Sequence, residues 1–283
     1  MNADMVFTPG GQRPRSDVIV LEPSQLVVLS QRIQTRLRKD NQAGRPDKAN
    51  WISAAWIDVV GPSMKSFSTT WTVPPEPKTT GAQLLYLFNG MQPPDGSTIV
   101  QPVLQWGDSG PDQDGQNRTG HFWTVASWIV PAPDGRTYHT PHLRVNPGDN
   151  LVGVIRLVKN VGGNCTYACE FRGLAATRFI TPAIPELTWC VQTLEAYELN
   201  TSANPPYDLD VSSEYPGAKF TAFESIAIDG APSGALWTVT DYVTKYGEHT
   251  IIKTNSTSGG QVQIYYGSGA AVSSSRSSDS DHV

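Results

Sequence analysis

From Trp51 onward the chain is cut at short intervals by turn-forming pairs, and the runs between the cuts are rich in β-branched and aromatic residues. Segments 51–60, 64–73, 82–89, 99–106, 120–130, 151–158, 166–171, 175–180, 187–199, 219–228 and 262–266 read as strands. The cuts are Gly61-Pro62, Pro74-Pro75, Asp95-Gly96, Asp134-Gly135, Asn146-Pro147-Gly148 and Gly162-Gly163, residues that supply fixed or positive φ or bond their own backbone. No helical periodicity lies between these runs, which excludes a parallel α/β sheet. The pattern predicts an all-β fold, a two-sheet antiparallel β-sandwich of the jelly-roll or concanavalin-like kind, with an N-terminal helix.

That helix is expected over residues 23–39. Leu26, Val27, Leu29, Ile33 and Leu37 recur at helical spacing, Pro23 suits the first turn, and Arg36, Arg38 and Lys39 sit where cations favour the helix dipole. A short strand is expected at 17–21 and a polar linker at 41–50. The domain reading is therefore an N-terminal arm over 1–49, a sandwich over 50–267 and a serine-rich tail over 268–283 that cannot bury a core and is expected to be disordered. With 25 Gly, 22 Pro and only 17% charged residues, the composition matches many turns joining short strands. A formal net charge of −5 gives no basic field for nucleic acid or an anionic membrane. No apolar run reaches the roughly 18 residues of a membrane span. Residues 1–15 are polar and rich in Pro and Gly, without the charged-then-apolar order of a secretory signal. Together with three cysteines, too few and odd in number for a disulfide framework, this places the expected location in the cytoplasm, or outside it by non-classical release.

Two segments hold polar groups inside apolar runs. In Ile99-Val100-Gln101-Pro102-Val103-Leu104-Gln105-Trp106-Gly107 the two amides stand four apart, so both project from one face of a strand. They are either amides satisfied by neighbouring backbone or donors aimed into a cleft. In Trp189-Cys190-Val191-Gln192-Thr193-Leu194-Glu195-Ala196-Tyr197 the alternation groups Thr193, Glu195 and Tyr197, and a carboxylate so placed either faces solvent or serves a site. Trp106, Trp123 and Trp128 are candidates for an aromatic platform on a concave sheet, or for ordinary core residues. His139 and His142 are separated by Thr140-Pro141, which breaks a helix, and no acidic or cysteine ligand follows at metal spacing; no metal site and no cofactor are expected. Ser109, in Gly107-Asp108-Ser109-Gly110, lacks the strand-to-helix elbow of serine hydrolases.

In segment order the chain resembles the eqolisins, the glutamic peptidases. Asn50-Trp51, Thr70-Trp71-Thr72-Val73-Pro74-Pro75, Phe88-Asn89-Gly90-Met91, Val103-Leu104-Gln105-Trp106-Gly107, the Trp123 to Trp128 strand, Pro147-Gly148-Asp149, and Cys190 with Glu195 five residues later follow the family's succession, with Tyr215-Pro216 then preceding Phe220 and Phe223. The resemblance implies a sandwich of two curved sheets and a hydrolase of peptide or amide bonds with Gln105 and Glu195 as its pair. Glu195 would be general base and Gln105 the donor to the oxyanion. It further implies a peptide-binding surface drawn from Phe88, Gln92, Gln101, Trp106, Trp123 and Trp128. The chain departs from the family where its motif aspartate falls on Gln92, another acidic position on Ser127, an opening Trp on Phe88, and the cysteine partner of Cys190 on Ile99. Two readings from other classes stand beside it. One is a lectin-like module presenting Trp106, Trp123, Trp128, Gln92, Gln101 and Asp108 to a glycan. The other is a non-catalytic relative whose basic arm docks a partner.

Overall fold

The computed structural model describes residues 4–21, 50–59, 64–112, 114–199, 211–243 and 246–267. The expected helix over 23–39 and the expected disordered tail lie outside the described residues. Those described form strands β1 (Met5–Thr8), β2 (Gly11–Pro14), β3 (Val18–Val20), β4 (Trp51–Asp58), β5 (Ser66–Thr72), β6 (Leu84–Gln92), β7 (Ile99–Gly107), β8 (Gly120–Val130), β9 (Thr137–His139) and β10 (Leu143–Arg144). They continue with β11 (Asn150–Val161), β12 (Asn164–Phe171), β13 (Phe179–Ile180), β14 (Ile184–Pro185), β15 (Trp189–Tyr197), β16 (Phe220–Asp229), β17 (Thr238–Asp241), β18 (His249–Thr254) and β19 (Ser258–Tyr265). The fold is the expected β-sandwich. A nine-stranded sheet runs β17-β4-β15-β6-β7-β8-β9-β3, with β10 beside β8. An eight-stranded sheet runs β13-β12-β11-β5-β16-β19-β18, with β14 beside β12. All pairings are antiparallel except that of β3 with β9. Among the described residues no helix is long and apolar enough to cross a membrane.

Between the sheets lies a core of Phe67, Trp71, Leu85, Leu87, Leu104, Trp106, Trp123, Ile155, Tyr167, Leu194, Phe223 and Ile264, with others. Burying each large apolar side chain stabilises the fold by about 1.5–3 kcal/mol. At Gly153 on β11 the backbone is packed tightly against its neighbours. A Cβ there would lie 2.2 Å from Asn89 Oδ1 and 2.8 Å from both Pro102 Cγ and Trp71 Cη2, so only glycine fits.

A second apolar cluster covers the outer, concave face of the nine-stranded sheet: Trp51, Leu84, Tyr86, Phe88, Val103, Ala126, Trp128, Val191 and Tyr197, together with Val6 and Phe7. Strands β6 and β7 are consequently buried along their whole length, as happens when both faces of a sheet are covered. The cover is the β1-β2 hairpin, and β3 extends the sheet edge by pairing with β9. Within residues 4–21, Val6, Phe7 and Val18 join the apolar cluster on this sheet and β3 extends its edge. A difference falls at 175–180, read as one strand. Ala175–Thr177 is a 3-10 turn, because the Thr177 hydroxyl accepts from the Phe171 amide and donates to the Leu174 carbonyl, and only Phe179–Ile180 pairs.

Candidate functional site on the concave face

Strand register places Glu195 opposite Tyr86, Tyr86 opposite Gln105, and Gln105 opposite Thr124. Directly opposed residues on neighbouring strands project from the same face. The four therefore form one row across β15, β6, β7 and β8. Two strand spacings of about 4.8 Å separate the Glu195 and Gln105 backbones, roughly 10 Å in all, with Tyr86 between them. Trp51 flanks Glu195 on the other side, where a register shift between Leu194 and Glu195 interrupts the β15-β4 ladder.

The hairpin turns above this row. Thr8 pairs with Gly11, leaving Pro9 and Gly10 as its tip. Gly10 and Gly11 have φ of 103° and 118°, open to glycine and strained for other residues. The Gly10 amide donates to Glu195 Oε1 at 2.8 Å, and the Tyr197 hydroxyl donates to the same oxygen. Gln101 Nε2 lies 3.5 Å from the Pro9 carbonyl. The Phe7 amide donates to the Ser109 carbonyl at 3.0 Å, and the Phe7 ring tilts against Tyr197 at 5.1 Å. Glu195, which the hairpin tip contacts, and Gln105 are both buried.

Electrostatics follow from the enclosure. Burial, and then the Glu195 charge, push the Tyr86 phenol well up. The same two causes in the same order push Tyr197 up, so both rings keep their protons at neutral pH. Gln105 Nε2 donates to the Gly107 carbonyl at 3.2 Å, toward the end of its own strand. The buried Gln105 Oε1, Gln101 Oε1 and Tyr86 Oη have no hydrogen-bond partner among the described residues. Such buried polar atoms cost about 1–3 kcal/mol each.

The other candidates divide. Phe88 stands on the concave wall, edge-on to Trp51 at 6.0 Å. Gln92 ends β6 opposite Trp189, and Gln101 lies beside the hairpin tip. Trp128 is also on this face, stacked on His139 at 4.1 Å. Trp106 and Trp123 are not: they pack on each other at 5.4 Å in the core between the sheets. The reason is parity, since Trp106 follows Gln105 and Trp123 precedes Thr124, and successive side chains alternate. The three tryptophans therefore make no common platform for a sugar ring. Asp108 sits in the exposed turn beyond β7, accepting from the Gly110 amide and from Asn117. The sequence groups Tyr197 with Glu195 and marks Trp51 only within a motif, and it points to neither Tyr86 nor Gly10. Tyr86 shares the parity of Gln105 and Glu195 on paired strands, a usable signal; Gly10 has none. Cys165, Cys169 and Cys190 are all free and buried.

No family model matches the chain, and no curated protein matches it. Among solved structures it is similar to Scytalido-glutamic peptidase with a peptide-based transition-state analogue, at 13% identity and a TM-score of 0.47, over 77% of this chain and 98% of that one. It is also similar to SCP-B, a member of the Eqolisin family of peptidases, in complex with the tripeptide Ala-Ile-His, at 13% identity and a TM-score of 0.41, over 77% and 98%. An alginate lyase from Alteromonas sp. 272 matches at 11% identity and a TM-score of 0.30, over 53% and 58%. These are distant likenesses of β-sandwich architecture.

Proposed function

We propose that the concave face is a hydrolytic site for peptide or amide bonds, with Glu195 as general base and Gln105 as oxyanion donor, and that the N-terminal hairpin covers it. The observation that carries this reading is the contact at Glu195. Its carboxylate is met by a backbone amide of the chain itself, at the turn of the hairpin, in the same row as an amide side chain. A substrate peptide, or the water that attacks it, would take the place Gly10 holds.

In that mechanism a water bound at Glu195 gives its proton to the carboxylate as its oxygen bonds to the carbonyl carbon. Gln105 Nε2 leaves the Gly107 carbonyl and donates to the oxygen that gains charge, a contribution worth about 3–4 kcal/mol. Collapse breaks the carbon–nitrogen bond, and Glu195 returns the proton to the leaving nitrogen. Tyr197 donates to Oε1 and holds the carboxylate in place.

The test uses the full chain carrying Gly10→Pro, which removes the amide on Glu195, with a fluorogenic denatured-protein substrate from acid to neutral pH. Hydrolysis is expected to vanish on adding Glu195→Gln and to fall about 10²–10³-fold on adding Gln105→Ala. Hydrolysis that survives both changes rejects the assignment. A second reading, a closed sandwich without activity that binds a partner, is favoured by the Gln105 amide donating to Gly107. It is the outcome if the hairpin-opened protein cleaves nothing.

A further inference from the structure

Away from the Gln105–Tyr86–Glu195 row, three donor groups converge where the loop between β7 and β8 meets the end of β9. We infer that Asp112, His139 and His142 form a binding site for one divalent transition-metal ion, of which Zn²⁺ and Co²⁺ suit the donor set. One carboxylate oxygen and one nitrogen from each ring all lie within 4.8 Å of one another. Two imidazoles and a carboxylate are a donor set of intermediate softness, and three protein ligands leave a fourth position open. Tetrahedral coordination at about 2.1 Å needs donors about 3.4 Å apart. The widest pair must therefore draw in by at most about 1.4 Å (4.8 − 3.4), within reach of side-chain rotation.

The hydrogen bonds around the cluster point the same way. His139 Nδ1 lies 2.9 Å from the Thr140 carbonyl, which can only accept, so Nδ1 carries the hydrogen. In the neutral ring Nε2 is then a bare lone pair, and it faces Asp112 Oδ1 at 3.7 Å. Two acceptors directed at each other repel, and a cation between them turns the repulsion into coordination. A ligand imidazole whose other nitrogen donates to a backbone carbonyl is the arrangement that fixes metal-binding histidines. The His139 ring is clamped by the Trp128 stack, and His142 lies 5.1 Å from it, centroid to centroid, with Nδ1 3.3 Å from the Thr124 hydroxyl.

Space also fits. Asp112 Oδ2 is held by Arg118 at 2.5 Å, leaving Oδ1 toward His139. Arg118 is shared with Asp114 at 2.6 Å, and Arg15 also lines the cavity, so two carboxylates and two guanidiniums balance before an ion enters. A cavity of about 10 Å³ lies against Asp112, His139, His142, Trp128, Phe7 and Arg15, room for about one water or one ion. Arg15 at the foot of the hairpin donates to the Asp112 carbonyl at 3.1 Å. An ion would therefore brace the loop on which the hairpin rests. The site is independent of the proposed hydrolysis, and neither reading stands or falls with the other.

The experiment is titration of chelator-treated full-length protein with Co²⁺ and Zn²⁺, followed by calorimetry and visible absorption, with X-ray absorption at the zinc edge. One equivalent is expected to bind, with two imidazoles among the ligands and no thiolate-to-cobalt charge-transfer band. His139→Gln, His142→Gln and Asp112→Asn should each weaken binding at least about tenfold, while His121→Ala and His249→Ala should not. Circular dichroism checks that the variants fold, and the wild-type zinc-edge spectrum decides the matter if they do not. Absence of saturable binding, sulfur ligation, or undiminished binding in the folded variants overturns the proposal.

Discussion

Replacing Gly10 by proline should open the concave face, and the structure gives a scale for how far. Proline has no N–H, so the bond to Glu195 Oε1 is lost; a hydrogen bond to a charged group is worth about 1.5–3 kcal/mol. Proline is also locked near φ −65°, whereas Gly10 holds 103°. Forcing a residue into a sparsely populated region costs at least about 1–3 kcal/mol. Together these destabilise the docked tip by about 3–6 kcal/mol. Opposing them is burial of Val6 and Phe7, about 3–6 kcal/mol for the pair. The terms are comparable, so the hairpin should move from firmly docked toward balance, a change of about 10²–10⁴ in the open-to-closed ratio at about 1.4 kcal/mol per tenfold. Amide hydrogen exchange reads this directly. Protection of the Phe7 amide, bonded to Ser109, should fall about a hundredfold or more, while the β6-β7 ladder stays protected. Gly163→Ala is the control, because Gly163 also has positive φ (85°) but sits in open space far from the cleft. If Phe7 exchanges no faster in Gly10→Pro than in the control, the hairpin is not held by its tip and the reasoning is wrong.

Gly153→Ala should destabilise the sandwich by about 1–3 kcal/mol through overpacking against Asn89, Pro102 and Trp71. Calorimetry should show the melting temperature falling about 2–4 °C per kcal/mol, and an unchanged value would mean the sheets can part at that point. Burial pushes the Cys165, Cys169 and Cys190 thiols up, so a thiol-specific chromogen should label none in the native protein and all three in denaturant. Rapid native labelling would contradict the packing. A side-chain hydrogen bond from Arg118 is the largest cause lowering the Asp114 carboxyl. A depressed acid contributes stability above its ordinary value of 3.8 and loses it as pH falls through the folded value. Carboxyl-carbon NMR should therefore give Asp114 a midpoint below 3.8, moving up in Arg118→Ala, and a midpoint at or above 3.8 in the parent would refute the pairing.

Much of the architecture was readable because long strands advertise themselves. Alternation along β15 grouped Thr193, Glu195 and Tyr197, and the four-residue spacing of Gln101 and Gln105 put both amides on one face, as in the structure. Parity also turns Trp106 and Trp123 inward, a signal that residue type alone does not carry. The hairpin was hidden because four-residue strands are too short to show a period, and Pro9-Gly10-Gly11 reads as loop. Local spacing around His139 and His142 carries no metal signature. The third donor, Asp112, comes from a different loop, and only tertiary structure brings it to His139 and His142.

With both faces of β6 and β7 covered, the first hairpin has a colloidal role as well as a steric one. Chain beginning at β4 would present Tyr86, Phe88, Val103 and Trp128 to water as one continuous oily surface, beyond what a dispersed monomer tolerates. Any form of this protein that works with its cleft open must therefore shield that surface with something else, or associate through it.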